Sequence, residues 1–301
     1  MPTLTTYRRD VSRLAGTYEQ GVSTSAGEVS RMICTNHPFI TTVTDDASWV
    51  DKWLYRPSSS SSSDRQRLIA SMSTSSGYFV PDKAWGQEAG NAETFEVSGA
   101  PLSPLDIIQC VNEGLERCWV VVEFTFTVAS NLTRMHSLAA TTWLTEPRNV
   151  FQVGVLPTGQ TRTEYDPFTR GARRGVATKI NGIVYLEGPT FNTTDTVYVK
   201  ALKRAYDHCK VSAGTFGGQS GLALESDEAP VQSEWLAQAA LLKMYDRLDP
   251  TVGVSERADL DRMRAMAVQR FSRLTNAYLE VPERTFVPMV YMGSSLSGRR
   301  W

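Results

Sequence analysis

Between Cys118 and Trp119 the apolar pattern changes its period, and this change restricts the fold more than any other feature. Upstream, Ser103-Pro104-Leu105-Asp106 places a capping hydroxyl, a proline at the first helical position and an acid in the first turn. Leu105, Ile108, Val111, Leu115 and Cys118 then recur at helical spacing, one apolar stripe on one helix. Downstream, Val120, Val122, Phe124, Phe126 and Val128 alternate with Glu123, Thr125 and Thr127, the period of a half-buried strand. Helical spacing returns only at Ser233. A β-rich stretch is therefore expected between helices that must find one another to bury their stripes.

The remaining segments fit around that frame. Leu4, Tyr7, Val11 and Leu14 mark a helix over 4–15 with Gly16 as its stop. Residues 16–101 are rich in Ser, Thr and Gly. Their short strand-like bursts lie at Trp49–Arg56, Arg67–Met72, Tyr78–Val80 and Thr94–Val97, and the unbroken run Ser58–Ser63 reads as a flexible exposed loop. Within 119–211, strands are expected at 151–155 and 197–205, and Asn181-Gly182 is a two-residue hairpin signal. Residues 212–232 read as a linker. Ser233 is expected to cap a helix to Leu248, and Ser255 a longer one over about 255–280 with Leu260, Met263, Ala267, Phe271, Leu274 and Tyr278 inward. The expected fold is α+β: a helical bundle with an inserted β-rich domain, an irregular N-terminal insertion and an extended C-terminal tail. The divisions are 1–101 (N-terminal helix plus irregular Ser-rich insertion), 102–118 with 233–280 (bundle), 119–211 (β-domain) and 281–301 (tail).

Charge and motifs then exclude whole classes of function. Lys and Arg total 31 against 32 Asp and Glu, a net charge of −1, so a general polyanion or membrane-surface binder is not expected. No run approaches 18 apolar residues, and the first residues lack the apolar core of a secretory signal. The four cysteines, Cys34, Cys110, Cys118 and Cys209, form no C-x-x-C pair and are read as free thiols of a reducing cytosol. His37, His136 and His208 show no metal-ligand spacing. The segment Gly217-Gly218-Gln219-Ser220-Gly221 is not G-x-S-x-G, because residue 222 is leucine, and no phosphate-cradling glycine motif occurs. No catalytic residue, metal or cofactor is expected, and the chain is not read as an enzyme.

Two basic clusters remain. Arg170, Arg173 and Arg174, with Arg162 nearby, occupy an expected polar loop. They suit either contacts to phosphates or pairing with acids on a neighbouring subunit. Arg299-Arg300-Trp301 combines the residue types enriched at interface hot spots, and reads either as a docking tail or as a disordered end.

The order and texture of three stretches resemble the head-to-tail connector (adaptor) proteins of tailed bacteriophages, including the tail tubular or gatekeeper type. They are the helix Pro104–Trp119 with Asp106-Ile-Ile and Asn112-Glu113, the β-region after it, and the pair Ser233–Arg247 and Asp259–Tyr278 followed by a tail. The resemblance implies a structural virion protein made in the host cytoplasm and located at the neck. It would form a ring, commonly of twelve subunits, between the portal and the tail or nozzle proteins, with double-stranded DNA passing through it non-specifically. Arg162, Arg170, Arg173 and Arg174 would then line the channel, and Arg299, Arg300 and Trp301 would dock on the portal. Residues 16–101 are longer than in the smaller members and suit fibres or capsid. The alternative is another phage structural protein, such as a fibre-attachment or decoration module.

Overall fold

The computed structural model describes residues 1–24, 28–35, 49–59, 65–88, 90, 92–128, 135–156, 158–163, 166–168, 176–187, 193–251 and 253–278. Among them are four α-helices and twelve strands, all paired antiparallel, so the chain is α+β. It divides into two units. The first is built from Met1–Cys118 and Cys209–Thr275, the second on Trp119–His208.

In the first unit, α1 (Leu4–Ala15) begins at Thr3, whose hydroxyl accepts the N–H of Thr6 at 3.4 Å. Its buried face is Leu4, Tyr7, Arg8, Val11 and Ser12. Leu14, expected inward, is exposed, because the helix turns Arg8 toward interior carboxylates instead. Helix α2 (Pro104–Leu115) has the expected start: the Ser103 hydroxyl accepts from the N–H of Asp106 and donates to its carboxylate. Its buried stripe is rotated from the expected one. Ile107, Cys110, Val111, Gly114 and Leu115 face inward while Leu105 and Ile108 are half-buried, and Cys118 lies beyond the helix end.

Helix α3 (Ser233–Leu248) packs against both α1 and α2, which explains why every residue from Trp235 to Leu242 is buried. Ser233 is not its cap. Gln232 holds that position without a side-chain bond, and the Ser233 hydroxyl donates to Asp10 of α1. A Cβ at Gly114 would lie 2.9 Å from the Ala240 backbone nitrogen, so only glycine permits the observed approach of α2 to α3. Helix α4 (Val254–Tyr278) begins one residue before the expected cap Ser255. Leu260 and Ala267 are buried and Phe271 and Leu274 half-buried, but Met263 and Tyr278 are exposed. The Trp235 and Phe271 rings stack at 6.3 Å, and the Trp235 indole N–H donates to Thr275.

The segment expected as a linker is fixed to the helices. Leu4 and Thr5 donate backbone N–H groups to Asp227 and Glu225, and the Tyr7 hydroxyl donates to the carbonyls of Ala229 and Val231. The Asn112 side chain bonds both the N–H and the C=O of Leu222.

The stretch expected to be irregular forms a six-stranded sheet ordered β1-β6-β3-β4-β5-β2: β1 Tyr18–Val22, β2 Met32–Ile33, β3 Trp53–Tyr55, β4 Gln66–Ser73, β5 Tyr78–Pro81 and β6 Thr94–Ser98. It has its own core, including Met32, Leu54, Ile69, Phe79, Phe95 and Val97. Its strands are short and neighbours in space are often distant in sequence, which hides the sheet from a local reading. At the start of the serine run Ser58 is exposed and donates to Glu93, whereas Ser59 is buried. Ser60–Ser63 lie outside the described residues.

The second unit holds two three-stranded sheets, β7-β12-β9 and β10-β11-β8: β7 Trp119–Thr127, β8 Met135–Ser137, β9 Val150–Leu156, β10 Val176–Ile180, β11 Ile183–Glu187 and β12 Thr196–Arg204. Both contribute to one core, with Val150, Val153, Val197, Val199 and Ala201 from the first and Ala177, Val184 and Leu186 from the second. Strands β10 and β11 turn through Asn181 (φ 50°) and Gly182 (φ 82°), as the Asn-Gly pair requires.

Candidate functional site

Strand β12 is apolar on one face through Val197, Val199 and Ala201, which leaves Tyr198 and Lys200 on the other. Residues of 158–168 lie across that second face. A Cβ at Gly154 of β9 would be 2.5 Å from the Pro167 carbonyl oxygen, so the segment rests directly on the strand. Arg162 closes the arrangement. Its guanidinium spans both carboxylate oxygens of Glu123 at 2.9 and 3.0 Å and reaches Asp166 at 2.9 Å. It also lies 5.1 Å from the Phe168 ring centre and 4.9 Å from that of Tyr198, and Lys200 lies 4.2 Å from Phe168. The Phe168 N–H and the Arg162 guanidinium hold the Asp166 carboxyl below its ordinary value.

The structure thus places Arg162 in a clasp of acids and aromatic rings beside the segment that leads to residues 169–175. Arg170, Arg173 and Arg174 lie outside the described residues, as do Arg299, Arg300 and Trp301. Arg162 is held by protein carboxylates with 39% of its side chain exposed.

The end of β12 builds a second cluster that the sequence did not disclose. Trp119 on β7 and Arg204 on β12 are cross-strand partners, and the guanidinium lies 5.8 Å from the indole ring centre. The neighbouring Lys203 lies 5.3 Å from the Trp143 ring centre, and Trp143 packs edge-on against Phe124 at 5.6 Å. With Glu146, Arg148, Asn149 and Asp207 these residues line a recess of about 550 Å³. Lys179 approaches Glu146 at 3.3 Å, whereas Arg148 and Arg204 are exposed and have no carboxylate partner among the described residues. Burial, together with the charge of Lys203, lowers the pKa of His208. The recess offers indole faces and guanidinium donors to a flat or anionic group. Of the residues lining the recess, the sequence reading named only Trp119, as the point where the apolar period changes. Their meeting depends on the β7–β12 register, which no local pattern specifies.

Among the described residues no group of three or more His, Cys, Asp or Glu side chains is arranged to hold a metal ion, and no helix is long and apolar enough to cross a membrane. All four cysteines are buried and none forms a disulfide. Burial pushes the thiols of Cys34 and Cys118 up to about 12 and that of Cys110 up to about 11, well above the range of a reactive thiolate. Comparisons with protein-family models, curated proteins and solved structures found no match to this chain.

Proposed function

We propose that the chain is a structural virion protein of the head-to-tail connector kind. It forms a ring between portal and tail, and double-stranded DNA passes through that ring. The observation that carries this reading is the division of the chain. The unit containing α1, α2 and α3 is assembled from both sides of the sequence, and β-rich 119–208 interrupts it. In this reading the helices form a bundle, 119–208 is an inserted domain facing neighbouring virion components, and the residues after 280 form an extended tail toward the portal. A ring closes by head-to-tail contacts between copies. The basic loop Arg170–Arg174 then faces the channel, and Arg162 anchors its approach rather than touching DNA.

A second reading, a fibre-attachment or decoration module, is favoured by one feature: the recess around Trp119 and Trp143, whose exposed Arg148 and Arg204 suit a partner surface.

Electron microscopy of the purified protein, alone and with a portal protein of the same virus, tests both. The connector reading expects rings with a central hole wide enough for duplex DNA. Particles that form no ring even with the portal would overturn it and favour the attachment module.

A further inference from the structure

Helix α4 spends little of its surface on its own unit. Leu260 and Ala267 are buried, yet Met263 and Met266 stay 39% and 45% exposed. The two methionines sit on one flank with Glu256, Asp259, Arg270 and Arg273, in the order Glu256, Asp259, Met263, Met266, Arg270, Arg273. These positions are spaced 3-4-3-4-3, the repeat of a two-helix seam. All six are exposed, and among the described residues Asp259 pairs with Arg262 alone, with both side chains 73% exposed. The arginines on the inner flank are already used, since Arg257 reaches Asp249 at 2.7 Å and Arg264 pairs with Asp246. Among the described residues Arg270 and Arg273 have no carboxylate partner and Glu256 has no basic partner.

The seam is acidic at its start, apolar in the middle and basic at its end, and it is complementary to itself when reversed. About a centre between Arg264 and Ala265, Met263 faces Met266 of a second copy, Asp259 faces Arg270 and Glu256 faces Arg273. Each of these falls at a matched pair of seam positions, as an antiparallel two-helix contact requires. A parallel alignment would instead set Asp259 against Asp259 and Arg270 against Arg270, which is repulsive. The seam extends over roughly 26 Å at 1.5 Å per residue.

We infer that the exposed flank of α4 is a self-association surface whose occupant is the same helix of a second copy, antiparallel, with Met263 on Met266 at the centre and Asp259–Arg270 and Glu256–Arg273 ion pairs on either side. A two-fold contact joins two copies and stops. It is therefore distinct from any contact that closes a ring, and it stands whether or not the connector reading holds.

The test is sedimentation velocity of the full chain over a range of concentrations, for the wild type, Arg270→Asp and the charge-swapped double variant Asp259→Arg/Arg270→Asp. The wild type is expected to pass from monomer to dimer as concentration rises. Arg270→Asp places like charges opposite each other and should weaken association by at least ~10-fold. The double variant restores opposite charges in reversed order and should recover the dimer, a result that general destabilisation of the fold would not produce. A wild type that stays monomeric throughout, an Arg270→Asp variant that dimerises normally, or a double variant that stays monomeric while folded would each overturn the inference. A chain that dimerises but never forms a ring with the portal tells against the connector alone. A monomeric chain that forms one tells against the helix pairing alone.

Discussion

The guanidinium of Arg8 and the carboxylate of Glu96 meet in the interior of the first unit, each with 1% of its side chain exposed. A second bond joins them at 3.1 Å, Arg9 reaches the same carboxylate at 2.8 Å, and Glu225 approaches Arg8 at 3.3 Å. The Arg8 guanidinium also lies 4.2 Å from the Tyr55 ring centre. Burial works against the Arg8 charge, but the hydrogen bond and charge of Glu96, with Glu225 behind it, outweigh that and raise its pKa further. The cluster ties α1 to β6 of the six-stranded sheet.

Removing one member of this cluster should therefore be severe. Glu96→Gln leaves Arg8 charged and buried with half its partner gone, and a loss of about 3–5 kcal/mol is expected. Urea unfolding monitored by tryptophan fluorescence measures it. A loss below about 1 kcal/mol, the range of surface pairs, would show that the cluster is solvated in solution.

Acid should loosen the same region. Burial alone would raise the Glu225 carboxyl, but the charge of Arg8 and hydrogen bonds from Tyr55, Thr5 and Arg8 bring it below its ordinary value of 4.5. A carboxyl held lower in the folded chain than in the unfolded one contributes stability that is complete above the unfolded value and disappears as pH falls through the folded one. Glu93, hydrogen-bonded to Arg56 despite partial burial, is lowered in the same way. The stability gap between wild type and Glu225→Gln is thus expected to be widest near neutrality and to close as pH drops below 4.5. Chemical denaturation at a series of pH values reads the gap directly, and a gap independent of pH would refute the assignment.

The α2–α3 contact offers a steric test. Valine at Gly114 would drive its Cβ against the backbone of Ala239 and Ala240. Overpacking of this kind costs about 1–3 kcal/mol. Gly114→Val should lower the melting temperature by several degrees, roughly 2–4 °C per kcal/mol for a chain of this size. An unchanged melting temperature would mean that the helices separate at no cost.

Arg162 gives a prediction within the second unit. Arg162→Ala removes the two hydrogen bonds to Glu123 and the one to Asp166, and uncovers the Phe168 and Tyr198 rings. Amide exchange across 158–168 should accelerate while the core of β12 stays protected. Arg162→Lys, which keeps the charge but loses the planar fork, should restore protection only in part. Equal protection in Arg162→Ala and wild type would rule out the clasp.

What the sequence disclosed follows the range of the interaction. The start of α2 is written within four residues, Ser103 to Asp106, and the β10–β11 turn within two, Asn181 and Gly182. Both were legible because backbone and side chain settle them locally. The six-stranded sheet was not, because its order joins β1 to β6 and β6 to β3. The phase of the α2 stripe was misjudged by the bulk of Leu105 and Ile108, whereas the contact with α3 is made through Gly114, which has no side chain to signal it. Arg8 was not singled out at all, because its partners lie 88 and 217 residues away. The recess at Trp119 and Trp143 waits on a strand register in the same way.

The strap over α1 sets an order of events during synthesis. Tyr7 is made well before its hydroxyl acceptors, which lie 222 and 224 residues later. At ~5–20 residues per second, α1 spends roughly 10–45 s without them. All of Trp119–His208 emerges in that interval, so the β-rich part of the second unit is made before the first can close. The unit begun first thus closes only after the β-rich part of the other has been made, and until then the apolar face of α1 is a natural client for a chaperone.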